Sequence, residues 1–185
     1  MGLENVDYRV IDAERIDLDA ASVDGVLCQS AFMLVADPAA ALSETRRVLR
    51  PGGRLSMSVW SAPERNPWAS IGGRILVERD LLAPPEPGAP GVFSMANEER
   101  MRALLGDAGF TDAHTSEVPI RFVFSDIDDY ERWVSDLSGS FATVLRGLPE
   151  DELEVLKAEL RTAFEPHATH QGYELGGVAL TAVAS

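Results

Sequence analysis

At 185 residues the chain falls within the size of one ordinary domain, and its formal net charge of −14 repels phosphate backbones and anionic lipid surfaces. No basic patch offsets that charge, since Arg46, Arg47 and Arg50 gather at the end of a predicted helix, where the helix dipole accounts for them, so nucleic acid is excluded as a partner. A single cysteine, Cys28, rules out an internal disulfide and sits in an apolar run that suits a buried, inert thiol; with no basic leader and no apolar stretch near the ~18 residues of a membrane span, the expectation is a cytoplasmic chain in a reducing compartment.

In chain order, Tyr8 to Ile11 is a short β-prone run ending at Asp12 and is expected to form a strand. After the acidic stretch Glu14 to Ala21, Gly25 to Ser30 reads as a second strand, apolar enough to be buried on both faces. Asp37 then offers a helix cap, Pro38 suits the first helical position, and Ala41, Leu42, Thr45, Val48 and Leu49 make one apolar stripe. Pro51-Gly52-Gly53 stops that helix, and Leu55 to Trp60 alternates as a third strand. Strand, helix and strand within about forty residues have the spacing of a parallel βαβ unit, so the fold class is α/β.

Residues 61–96 differ, with Pro63, Pro67, Pro84, Pro85, Pro87 and Pro90 around one helical candidate, Ala69 to Leu82. The run Ala83 to Gly91 is too long for a simple connection and is expected to be either a lid over a substrate or disordered. A helix follows Asn97, with Met101, Leu104, Leu105 and Ala108 on one face and Gly109 at its stop. Phe110 to Phe124 supplies one strand, or two broken at Pro119. Helical spacing returns in Tyr130, Trp133, Val134 and Leu137, and again in Leu153, Leu156, Leu160 and Phe164; Tyr173 to Ala184 is a closing strand.

Several apparent motifs fail on their chemistry. Asp24-Gly25-Val26 lacks the upstream nucleophilic aspartate of a haloacid-dehalogenase phosphatase, because Ser22 stands there. His167 and His170 have no further ligand cluster, so no metal site is expected. His114 stands alone and reads as a surface or hydrogen-bonded residue. Asp126, Asp128 and Asp129 lack the glycine and distal glutamate of a calcium loop and read better as a solvated helix start. Neither a phosphate-binding Gly-x-x-x-x-Gly-Lys nor a dinucleotide Gly-x-Gly-x-x-Gly occurs in the chain.

Three stretches together resemble a known family. These are Asp24 to Ser30, the run from Asp37-Pro38 to Leu49-Arg50-Pro51-Gly52-Gly53-Arg54-Leu55, and Leu104-Leu105-Gly106-Asp107-Ala108-Gly109-Phe110. They are similar to class I S-adenosylmethionine (SAM)-dependent methyltransferases of the small-molecule, ubiquinone- and menaquinone-methylating type. The resemblance covers nearly the whole chain and implies a partial Rossmann-like sheet, equivalent to the family's strands three to seven, with flanking helices in a single domain. Gly176 to Ala184 would be the last strand, inserted antiparallel beside the sixth.

The same resemblance implies the site. Asp12, ending the strand at Tyr8 to Ile11, would accept from the adenine amino group of SAM, and Ala13 would offer its backbone amide to the ring; a carboxylate at a strand's C-terminal end faces the crevice where α/β folds bind ligands. Gln29, Ser30 and Ala31 would line the methionine side. The loop Ser61 to Trp68 would border the methyl acceptor, with Trp60 and Trp68 either offering aromatic walls to a flat, quinone-like small molecule or serving as ordinary core anchors. The catalytic residue stays open, since no residue is an unambiguous base.

One part of the family pattern is missing. The glycine-rich cofactor loop and the acidic residue that holds the ribose hydroxyls have no counterpart in these 185 residues. The expectation is therefore a SAM-dependent methyltransferase acting on a small, apolar or aromatic molecule, incomplete as this chain and of doubtful SAM binding by itself. The alternative is a non-catalytic ligand-binding or protein-interaction remnant. In the family two further strands would separate Tyr8 to Ile11 from Gly25 to Ser30, so exposed sheet edges are expected to favour a homodimer or other association.

Overall fold

The computed structural model describes residues 4–185, which form two compact units: residues 4–59, Pro90–Ser116 and Leu180–Ser185 make one, Trp60–Ala89 and Glu117–Ala179 the other. The elements in chain order are β1 (Val23–Gln29), α1 (Pro38–Val48), β2 (Leu49–Trp60), α2 (Pro67–Glu78), α3 (Glu98–Asp107), β3 (His114–Phe124), α4 (Ile127–Leu137), α5 (Gly139–Gly147), α6 (Glu150–Phe164), β4 (Ala168–Thr169) and β5 (Gly172–Ala184). The sheet order is β1-β2-β5-β3, with β4 paired antiparallel to β5. The closing strand thus lies between β2 and β3.

In the first unit, β1, α1 and β2 form the expected parallel βαβ unit. Asp37 caps α1 by accepting from the Ala40 amide at 3.0 Å, Pro38 opens it, and Ala41, Leu42, Thr45 and Val48 are its buried stripe. Strand β2 begins at Leu49, earlier than the alternation in the sequence suggests, because the pairing slips: Val23 faces Leu49, yet Gly25 faces Arg54. The intervening residues loop out, with Gly52 at φ +80°, and a Cβ on Gly53 would stand 3.0 Å from the carbonyl oxygens of Asp24 and Arg50. Beyond the bulge Leu55, Met57 and Val59 point inward. Helix α1 packs on α3, which is capped by the Asn97 side chain on the Arg100 amide. The end of α3 is a Schellman turn: Phe110 N donates to Leu105 O and Gly109 N to Gly106 O, with Gly109 at φ +85°.

Two expectations in this unit fail. Tyr8 to Ile11 forms no strand; its only ladder-like feature is an isolated bridge from Asp12 to Arg15, and Tyr8 and Val10 are 87% and 106% exposed. A strand exists only by pairing, and among the described residues nothing pairs with this run. Strand β1 does form, but it ends the sheet order and is not buried on both faces: Leu27 is 88% exposed. Apolar composition predicted the strand correctly and its burial incorrectly.

The second unit is built on aromatic side chains. Trp68, Ile75 and Leu76 of α2, Tyr130 and Val134 of α4, Phe141 and Leu145 of α5, and Leu156, Leu160 and Phe164 of α6 form its core. Tyr130 is fully buried, its hydroxyl donates to the Trp68 carbonyl at 3.1 Å, and burial pushes its pKa up. A Cβ on Gly72 would meet that hydroxyl at 2.6 Å, which fixes glycine there. Helix α5, capped by Ser138, is an element the sequence reading missed, and Leu137 is exposed. From His114 on, β3 is one strand that runs through Pro119, an edge position at which a missing N–H is tolerated. Asp126 and Asp129 do form a helix start: Asp126 accepts from the Asp129 amide and Asp129 accepts from the Ser125 amide, while Asp128 pairs with Lys157.

Asp37→Ala should remove one capping hydrogen bond and lower stability by about 1 kcal/mol, read as a shifted urea midpoint at unchanged slope. A change below about 0.3 kcal/mol would show that the Pro38 start alone holds the helix.

Candidate functional site

The candidate cofactor residues lie in the first unit, Gln29, Ser30 and Ala31 at the C-terminal end of β1 and Asp12 and Ala13 in a turn that Glu14 ties to the start of α1. Asp12 is exposed and half-committed to its own turn: its Oδ1 accepts from the Glu14 amide at 2.9 Å and its carbonyl accepts from Arg15 N at 3.1 Å. Ala13 is half-buried beside it. Glu14 reaches onward to accept from the Asp37 amide at 2.9 Å, which ties this turn to the start of α1. Gln29 and Ala31 are exposed; Ser30 is half-buried, donates its amide to Ser58 O at 2.9 Å, and sits at φ +53°. A serine in the left-handed region costs about 1 to 2 kcal/mol, the kind of local strain that gathers where a turn presents ligand contacts. A short 3-10 turn, Phe32–Leu34, follows, and the Met33 carbonyl accepts from Gly91 N and Ser94 Oγ. The last part of the proline-rich segment is thus fastened beside the β1 turn.

What positions the Asp12 turn is a clamp that sequence reading missed. Glu44 on α1 accepts from the Ile16 amide at 2.9 Å, and Arg47 donates to the carbonyls of Leu18 and Ile16 at 2.8 and 2.7 Å while bonding Glu44 at 2.7 Å. Arg47 therefore organises the loop rather than merely complementing the helix dipole. Arg46 donates to the Gly109 carbonyl and lies over Phe110, and Arg50 pairs with Asp24. The hydrogen bond from Arg47 holds the Glu44 carboxyl below the usual carboxylate range, against a smaller opposing desolvation effect.

Trp60 and Trp68 meet in the second unit, with ring centroids 4.7 Å apart. Trp68 is only 6% exposed; it packs on Phe122 and Trp133, and its indole Nε1 donates to Asn66 Oδ1 at 3.1 Å. A Cβ on Gly177 would stand 3.1 Å from that indole, so β5 carries glycine where the ring lies against it. Trp68 anchors the interior, and Trp60 is the half-buried member of the pair. Asn66, read from the sequence only as part of the loop Ser61 to Trp68, is fully buried and holds that loop: its Nδ2 donates to the carbonyls of Ser61 and Ala62 at 3.1 and 3.0 Å, and its Oδ1 also accepts from Val178 N at 3.0 Å. The Ser61 amide donates to Val178 O at 3.0 Å.

Among the described residues no group of three His, Cys, Asp or Glu could hold a metal ion, and no helix is long and apolar enough to cross a membrane. Cys28 is half-buried, and burial raises its pKa despite backbone amides of Phe32 and Ala31 nearby. Two surface depressions, one lined by Glu14, Arg15, Asp17 and Arg47 and one by Ile75, Val155, Ala158 and Glu159, are both open to solvent.

Comparison with known proteins adds what the geometry leaves open. Residues 2–57 match the model of a methyltransferase domain, a span that contains Asp12, Ala13, Gln29, Ser30 and Ala31. Over a larger span the chain is similar in sequence to proteins named as methyltransferases. It is 35% identical over 159 residues to an uncharacterized methyltransferase of Schizosaccharomyces pombe, covering 84% of this chain and 55% of that protein. It is 29% identical over 160 residues to the methyltransferase ucsB of an Acremonium species, covering 84% of this chain and 50% of that one. It therefore spans about half the length of the curated relatives it matches. Among solved structures, the YcgJ protein of Bacillus subtilis shares the fold with a TM-score of 0.55 at 18% identity, covering 98% of this chain and 71% of that one. A protein from Anabaena variabilis assigned as a methyltransferase of an antibiotic biosynthesis pathway gives a TM-score of 0.57 at 15% identity, covering 98% and 74%.

The residues present fit one edge of SAM and do not fit the whole of it. Asp12 keeps one carboxylate oxygen outside its Oδ1 turn bond and stands in solvent, which suits acceptance from an exocyclic amine. The chain holds no glycine-rich turn to bring backbone amides against the methionine end.

Asn66→Ala should leave the Trp68 indole and the Val178 amide without their acceptor and destabilise the chain by about 2 to 4 kcal/mol, measured by urea unfolding. Asn66→Asp should recover only part, because a carboxylate accepts from those donors but cannot donate to the carbonyls of Ser61 and Ala62. The lowered Glu44 pKa makes a second expectation. Its stabilising contribution is full above the pKa of the unfolded carboxyl and is lost as pH falls through the lower folded value. Glu44→Gln should flatten the acid limb of a melting-temperature profile while leaving its shape near neutrality unchanged.

Proposed function

We propose that the chain serves a SAM-dependent methyltransferase acting on a small, partly apolar or aromatic molecule, contributing Asp12 and Ala13 at the adenine edge, the Gln29-Ser30-Ala31 turn beside the cofactor and Trp60 on the acceptor side. The observation that carries the reading is that the Asp12 turn and the strained end of β1 both lie in the segment matched by the methyltransferase domain. SAM, when bound, supplies an electrophilic methyl group. The chain's own residues bind and orient: Asp12 accepts a hydrogen bond, the Glu44–Arg47 clamp keeps its turn in place, and Asn66 fixes the loop that carries the tryptophans. Methyl transfer of this kind gains chiefly from positioning. The remaining cofactor contacts come from outside these residues, in keeping with the share of the relatives that the chain spans. We place the chain in a reducing cytoplasm, where one half-buried thiol is at no disadvantage.

A second reading, a non-catalytic remnant that binds a ligand or a protein, is favoured by the exposure of Asp12 and by the open form of both surface depressions. Calorimetric titration with SAM and with its demethylated product separates the two. Micromolar binding that weakens at least tenfold in Asp12→Ala supports the cofactor reading; binding that Asp12→Ala leaves unchanged supports the remnant.

A further inference from the structure

We draw no further inference here: the strongest candidate, the half-buried aromatic patch of Trp60, Phe122 and Trp133 on the second unit, carries no proposal, because nothing in the structure shows what covers it.

Discussion

The buried carboxamide of Asn66 governs the loop between β2 and α2. An amide taken out of water must find partners for both its donors and its acceptor, and here they come from three directions: the carbonyls of Ser61 and Ala62, the Trp68 indole and the Val178 amide. Because each partner belongs to a different stretch of backbone, satisfying one side chain fixes the entry to α2, the seat of Trp68 and the approach of β5. Gly177 follows from that seat, since the indole leaves no room for a side chain beneath it. The Trp60 and Trp68 pair is thus first a consequence of packing, and any role toward an acceptor falls to the more exposed Trp60.

In the first unit the equivalent constraint is ionic. Glu44 and Arg47, one helical turn apart on α1, hold backbone groups of Ile16 and Leu18, and the acidic loop that looked structureless is a fastened strap. The strap sets where the Asp12 turn stands. An isolated surface ion pair contributes little, but a pair that also satisfies three backbone groups does more, since their loss would free a whole segment.

What the sequence disclosed depended on whether the deciding interactions were local. Helix α1 was legible from its start because Asp37, Pro38 and the apolar stripe act within a few residues of one another, whereas its end was set too late, since Leu49 already belongs to β2. The parallel β1-α1-β2 unit was legible for the same reason. Tyr8 to Ile11 was misread because alternation shows that a segment is able to pair, whereas pairing needs a neighbour, and none lies beside it among the described residues. Helix α5 was hidden by a glycine at each end and by its own shortness. Asn66 and Arg47 gave no signal, since a single buried amide or a side chain reaching back some thirty residues leaves no period to detect. The family itself was readable from three stretches, and so was the place of Gln29, Ser30 and Ala31 at the end of β1, whereas Asp12, read as a strand end, stands in a turn.

The place of β5 has a consequence for synthesis of the chain. The strand at residues 172–184 lies between β2 and β3 in the sheet, and Val178 bonds Asn66 across 112 positions of sequence. During translation β2 and β3 therefore wait, each lacking the strand that lies between them, until residues 172–184 have left the ribosome. Closing so long a loop is slow relative to forming helices such as α1. Until then the protein is helical but has an unfinished sheet, which makes the arrival of β5 the step that commits this sheet to its fold and the stage at which a chaperone has the most to protect.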